Sequence, residues 1–181
     1  ATRIVVMKDG KIQQVDTPQN LYDKPNRVFV AGFIGTPQMN FIEANLTKEG
    51  SDVYVEFQGN KMKLPSEKAN APELQEYIGK EVIVGIRPEC IHDEPMYLSQ
   101  YAESTIDASL RAMSDAIIET DVEVTELMGA EIYLYIKTGE QNLIARVSSR
   151  SQARAGDNIK VAFDVSRMHI FDKDTEACII H

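Results

Sequence analysis

Cys90 and His92 stand two residues apart, and a thiol beside an imidazole is an arrangement in which the ring can take the thiol proton and leave a nucleophile. On a strand, residues at that spacing share a face. No third residue that would orient the imidazole can be named, so structural roles next to a strand end are the favoured reading. His169, between Met168 and Ile170, reads as an edge-strand histidine. Glu119, Asp121 and Glu123 alternate, and the polar outer face of a strand explains them as well as an acid–base pair would. Cys90 and Cys178 fit no metal or redox spacing and read as reduced thiols. No Gly-x-x-x-x-Gly-Lys-Ser/Thr loop occurs: Gly10-Lys11 and Gly79-Lys80 lack both the glycine five residues earlier and the hydroxyl that follows. By this reading the chain has no catalytic, metal or cofactor site and does not hydrolyse nucleotide by itself.

Charge and hydropathy narrow the partners. A formal charge of −9 with no basic stripe opposes nucleic acid, because binding it requires neutralised phosphates. No apolar run approaches the roughly 20 residues that span a bilayer, and Ala1–Asp9 is too short and polar for a secretory signal, so a cytoplasmic protein is expected. From Glu89 to Glu131 eleven acidic residues face one basic residue, Arg111, and this stretch reads as a solvated face.

The elements that would carry such residues are mostly strands. Ile4–Met7 and Lys11–Val15 flank Lys8-Asp9-Gly10 and read as a hairpin, since Asp-Gly supplies the positive φ of a tight turn. Asp16-Thr17-Pro18 reads as a helix start running to Asp23, and Asn26 as the cap of a second helix of about ten residues. In that helix Val28, Phe29, Ala31, Phe33 and Ile34 make an almost wholly apolar surface, which Gly35 and Pro37 end. From Phe41 the hydrophobic period is two. Val53–Phe57, Lys61–Leu64, Glu81–Ile86, Asp121–Leu127, Glu131–Ile136, Leu143–Val147, Asn158–Phe163 and His169–Phe171 alternate as strands. Ala71–Ile78 reads as a short helix or coil closed by Gly79. Ile106, Leu110, Met113 and Ile117 fall on one helix face. Many short strands punctuated by glycine suggest a small barrel. Gly79–Arg87 aligns with Gly156–Asp164 at an offset of 77 residues, which points either to an internal duplication or to two similar amphipathic strands.

The stretches "IVVMKDGKIQQVDTPQNLYDKP", "FVAGFIGTPQMNF", "GIRPE", "VTELMGAE" and "HIFD" resemble, in that order, the ATP-binding subunits of carbohydrate ABC importers of the maltose-transporter type. The resemblance runs from about Arg3 to Phe171. It implies a mainly β fold of paired OB-fold-like (TOBE) barrels, preceded by a hairpin and short helices left from the ABC ATPase domain. The boundaries it implies are 1–37 for that remnant and hinge and 38–181 for the regulatory TOBE/OB-like domain, with possible halves 38–93 and 119–171 and a helical insertion 94–118.

In the family, ATP and Mg belong to Walker and signature motifs that lie upstream of the region this chain matches. The regulatory domains of two subunits contact each other. The resemblance therefore implies a homodimer, contact with transporter membrane subunits through the ATPase domain at the inner face of the membrane, and in some relatives a regulatory protein. Its implied interface residues are Arg27, Met39, Asn40, Phe41, Gly85, Ile86, Arg87, Pro88, Glu89 and Phe171, with Arg87 held by a carboxylate and Phe171 a buried anchor. For each, a place inside the barrel is the competing reading. Cys90 stands where the family usually has histidine. Two other readings stay open: a small-solute or oxyanion-binding OB module, and, behind it, an enzyme using Cys90 and His92.

Overall fold

The computed structural model describes residues 2–93 and 116–181, and the expected helix face Ile106, Leu110 and Met113 lies outside them. The hairpin forms as β1 (Ile4–Lys8) and β2 (Lys11–Asp16), with Asp9 at φ 50° and Gly10 at φ 75° making its turn. Thr17 caps α1 (Pro18–Asp23) by accepting a hydrogen bond from the Asn20 amide, and Pro18 occupies the first turn, where no amide proton is needed. The second helix, α2 (Val28–Phe33), is shorter than expected, and its cap position is Arg27. Asn26 does not cap it; its side-chain amide donates instead to the Gln13 carbonyl, tying the connection to β2.

Two sheets follow. One has six strands in the order β13-β12-β6-β3-β4-β5: β3 (Asn40–Glu49), β4 (Asp52–Phe57), β5 (Asn60–Lys63), β6 (Glu81–Ile86), β12 (His169–Asp172) and β13 (Cys178–Ile180). The other has five in the order β10-β9-β8-β11-β7: β7 (Ile91–Asp93), β8 (Ile117–Leu127), β9 (Glu131–Thr138), β10 (Gln141–Ser148) and β11 (Asn158–Phe163). Two single-turn helices, α3 (Ser66–Ala69) and α4 (Pro72–Gln75), join β5 to β6. Ile117 belongs to β8, so it does not continue a helix: it pairs with Ala162 of β11, and a strand-to-strand ladder overrides the spacing.

Alternation along these strands builds one core. Leu46, Val55, Val84, Ile86, Leu134, Ile136, Val161 and Phe163, drawn from both sheets, belong to a single buried cluster. At about 25 cal/mol per Å² of apolar surface removed from water, such a cluster is the dominant favourable contribution to folding. The five-stranded sheet curls until β10 lies against β7. The Asn40 side chain closes the join between the sheets, accepting from the Ile144 amide at 2.8 Å and donating to the Ile144 carbonyl at 2.9 Å. This is the mainly β, OB-type architecture expected.

The 77-residue repeat is visible in three dimensions. β6 and β11 each follow a positive-φ glycine, Gly79 and Gly156. These glycines donate to equivalent carbonyls, Leu46 at 2.7 Å and Val122 at 2.8 Å. Each strand then runs into a 3₁₀ turn, Pro88–Cys90 or Val165–Arg167, and a short strand. Those short strands are exchanged. β7 pairs with β11, and β12 pairs with β6, so each sheet contains a strand from the other repeat.

Candidate functional site

Of the residues that resemblance singled out, Arg27, Met39, Phe41, Gly85, Arg87 and Phe171 meet at one seam, where the N-terminal segment meets the six-stranded sheet, whereas Asn40 joins the two sheets and Ile86 lies in the main core. Backbone bonds stitch the two together: Val28 donates to the Glu176 carbonyl at 3.0 Å, and Cys178 to the Asn26 carbonyl at 2.9 Å. Arg27 bridges to Ala177 in the same antiparallel run and sends Nη1 to the Gln13 Oε1 at 3.1 Å.

The helix α2 divides its apolar residues between two neighbours. Val30, with Phe29 and Ile34 beside it, packs on Val6 of the hairpin and Leu21 of α1. Ala31 packs on Met39 and Phe171, flanked by Val28 and Phe41. Phe41 and Phe171 meet edge to face with ring centroids 6.1 Å apart, a favoured aromatic arrangement. Gly85 permits the contact, since a Cβ there would stand 2.6 Å from Met39 Sδ and 2.8 Å from a Phe171 ring carbon.

Arg87 fastens the seam. It is 3% exposed, and its guanidinium donates from Nη1 to the Ile34 carbonyl at 2.8 Å and from Nη2 to the Tyr22 carbonyl at 2.5 Å. These are carbonyls at the ends of α2 and α1, where helices leave acceptors unpaired. The guanidinium also lies 3.6 Å from the centre of the Tyr22 ring, close enough for cation–π attraction. The expected carboxylate partner is absent among the described residues, and the reason is geometric: the side chain is spent on backbone acceptors. Burial of the charge, only partly offset by nearby acids, lowers its pKa to about 10. Gly35, at φ +117°, leaves room for this approach, because a Cβ would come within 2.9 Å of Nη1.

Within this chain, then, Met39, Asn40, Gly85, Ile86, Arg87, Pro88 and Phe171 are buried. Arg27, Phe41 and Glu89 keep part of their surface. A side chain without exposed surface acts on a partner only through what it positions.

Cys90 and His92 do not lie on one strand. Cys90 sits in a 3₁₀ turn and not on a strand, so the shared-face argument fails; burial drives its thiol up to about 12. His92 lies on β7 with its pKa lowered by burial. Glu119, Asp121 and Glu123 are exposed along β8, as a solvated outer face requires. His169 is not on an edge strand: β13, unrecognised in the sequence because it is three residues long, covers β12. Its ring is 6% exposed and 3.3 Å, Nδ1 to Nδ1, from His181; burial, then the neighbouring His181 and cations, holds its pKa down to about 3. Lys68, also missed, is 8% exposed and donates to the carbonyls of Met168 and His181.

No group of three or more His, Cys, Asp or Glu among the described residues is placed to hold a metal ion. No helix among them is long and apolar enough to cross a membrane.

Two family models match the chain. Residues 35–91 match the MalK OB fold domain, and residues 115–170 match the TOBE domain. The chain is 44% identical over 179 residues to the oligosaccharides import ATP-binding protein MsmX of Bacillus subtilis, covering 99% of this chain and 45% of that protein. It is 36% identical over 177 residues to the trehalose/maltose import ATP-binding protein MalK of Thermococcus litoralis, covering 98% of this chain and 44% of that one. An uncharacterized ABC transporter ATP-binding protein of Escherichia coli, YcjV, is 38% identical over 179 residues, covering 99% of this chain and 44% of its own length. The chain thus spans less than half the length of these relatives. It belongs to the family of MalK-type OB and TOBE domains found in the ATP-binding subunits of sugar ABC importers.

Proposed function

We propose that this chain is the regulatory and dimerisation part of the ATP-binding subunit of a sugar ABC importer, working at the cytoplasmic face of the membrane and without ATPase activity of its own. The observation that carries this reading is the contrast between the two sides of the N-terminal segment. One side is clamped to the barrel by Arg87. The other presents Val5, Met7 and Ile12, which are 50%, 53% and 63% exposed. Met7 and Ile12 are cross-strand partners, and Val5 lies two residues from Met7 on the same face, opposite Val6, which is 1% exposed. Phe33, 64% exposed and stacked on Phe29, adds to the apolar surface. A hairpin whose inner face packs through Val6 on the two clamped helices and whose outer face is apolar is suited to docking an ATP-hydrolysing part and passing its movement to the barrel.

The proposed dimer contact uses the surface left on Arg27, Phe41 and Glu89, with the buried seam residues holding these in place. Two barrels joined in this way keep the paired ATPase parts at high effective concentration. Membrane subunits of the importer are then partners through the ATPase part, and a regulatory protein is a further one.

Mass measurement over a range of concentrations tests the proposal. A monomer–dimer equilibrium weakened by Glu89→Arg, with the melting temperature unchanged, is the expected result. A strict monomer at high concentration, or ATP hydrolysis by this chain alone, would sink it.

A further inference from the structure

The two repeats end their first hairpins differently. Leu46 of β3 and Val122 of β8 are equivalent, since each accepts from the positive-φ glycine of its repeat, Gly79 or Gly156, and donates to the next carbonyl, Lys80 or Asp157. Past Leu46, β3 runs on for three residues, the polar Thr47, Lys48 and Glu49. Past Val122, β8 runs on for five, to Leu127, through a bulge that sets Val122 against Ile136 but Val124 against Tyr135. Glu123 is the extra residue, and the shift turns Val124 to the outer face of the sheet, where simple alternation would have buried it. Val124 and Met128 are about half exposed, and Leu127 is 71% exposed. Charge separates the hairpins as well. Glu49 and Asp52 of the first are paired with Lys61 and Lys63. Glu123 and Glu126 of the second join no salt bridge among the described residues, although Glu126 accepts from the Tyr135 hydroxyl at 2.9 Å. The pairing of β8 with β11 stops at Asp121, so residues 123–127 are a sheet edge with no strand on it among those described. The difference is local to the hairpin tips.

We propose that this edge takes up an extended, lysine- or arginine-bearing segment of a partner protein, which pairs with β8 as a further strand. An open edge offers main-chain donors and acceptors in a row, and an added strand sends alternate side chains to the two faces. On the outer face they meet Val124 and Glu126, and on the other Leu127, which lies opposite the core residue Ile132. Apolar contact then comes from both sides, and the two glutamates without cation partners select for basic residues. The same charges argue against a second copy of this chain, since antiparallel pairing of two such edges crowds Glu123 and Glu126 of both copies onto one short ladder. The proposal requires neither the dimer nor the ATPase part of the subunit reading, so either can fail without the other.

Calorimetric titration of the 181-residue chain with a synthetic Lys-Val-Lys-Val-Lys-Val peptide, at an ionic strength of about 0.15 M, tests it. Saturable binding with Kd below about 1 mM is expected. Hydrogen exchange in residues 123–127 should slow when the peptide binds, because an added strand covers their amides and a loose ionic contact does not. Glu123→Lys and Glu73→Lys change the net charge equally, and both positions are exposed, so both variants should fold normally. The first should weaken binding about tenfold, and the second should leave it unchanged. The proposal is overturned by a Kd above about 1 mM, by unaltered exchange in 123–127, or by a loss in Glu73→Lys as large as that in Glu123→Lys.

Discussion

Residues 87 and 164 occupy the same position in the two repeats, each directly before a 3₁₀ turn, yet one is arginine and the other aspartate. Asp164 turns inward on its own loop. Its Oδ1 accepts from the Ser166 amide at 3.2 Å and from the Ser166 hydroxyl at 2.5 Å, so it acts as a local cap. The Arg87 side chain does not cap its own turn and reaches 53 and 65 residues back along the chain to Ile34 and Tyr22. Gly85 and Ala162 differ in the same sense. The alanine fits its sheet, whereas the glycine yields its side-chain space to Met39 and Phe171. One repeat is finished for its own stability, and the other has been adapted to hold something outside itself.

The largest effect that can break this comparison is at the aromatic seam. Phe171→Ala should cost about 3–5 kcal/mol, because the ring is fully buried and its neighbours cannot all collapse into the gap. Gly85→Ala should cost about 1–3 kcal/mol by overpacking, although its counterpart is naturally alanine. Urea unfolding of both variants gives these values, and a neutral Gly85→Ala would remove the steric half of the argument.

Acid should weaken the protein in a defined window. His169 titrates near 3 in the folded chain and near 6.5 when unfolded, so below about 6.5 the unfolded chain binds a proton that the folded one refuses. The stability it contributes is complete above that pH and is lost as pH falls toward 3, by up to about 1.4 kcal/mol per pH unit. Asp172 acts in the same direction at lower pH. Its carboxyl is held down to about 2, first by the Thr175 amide and then by the Tyr77 hydroxyl, so its contribution is lost as pH falls through that value. Unfolding midpoints at pH 7 and pH 5 should differ less in His169→Gln than in the parent chain.

A smaller effect sharpens the other side of the comparison: Asp164→Ala should cost about 1 kcal/mol, the worth of a cap, without disturbing the N-terminal segment. The smallest is chemical. Burial holds the thiols of Cys90 and Cys178 up to about 12, so at neutral pH both should react with iodoacetamide far more slowly than free cysteine, as mass spectrometry of timed samples would show.

The strands were legible because each buries one face, and a period of two is what a half-buried strand writes into its sequence. The hairpin and the Thr17 cap were legible for equally local reasons: Asp-Gly and Thr-Pro act on the residues beside them. What stayed hidden was set by distance along the chain. Arg87 reads as an arginine awaiting an acid, and only the fold brings it to two helix-end carbonyls. Asn26 looks like a cap until Gln13 is beside it. The exchange of β7 and β12 leaves no mark on residues already suited to strands, and β13 is too short for a pattern. Lys68 sits in a polar stretch, Ser66-Glu67-Lys68, that nothing in the sequence marks as buried.

The account turns on Arg87 holding the N-terminal segment to the barrel, and hydrogen exchange of Arg87→Met measures this directly. Losing charged hydrogen bonds of the kind worth about 1.5–3 kcal/mol should raise exchange about tenfold or more across residues 18–34, with the five-stranded sheet unchanged. Unaltered exchange in 18–34, or an equal rise across both sheets, would show that the arginine is not the clamp.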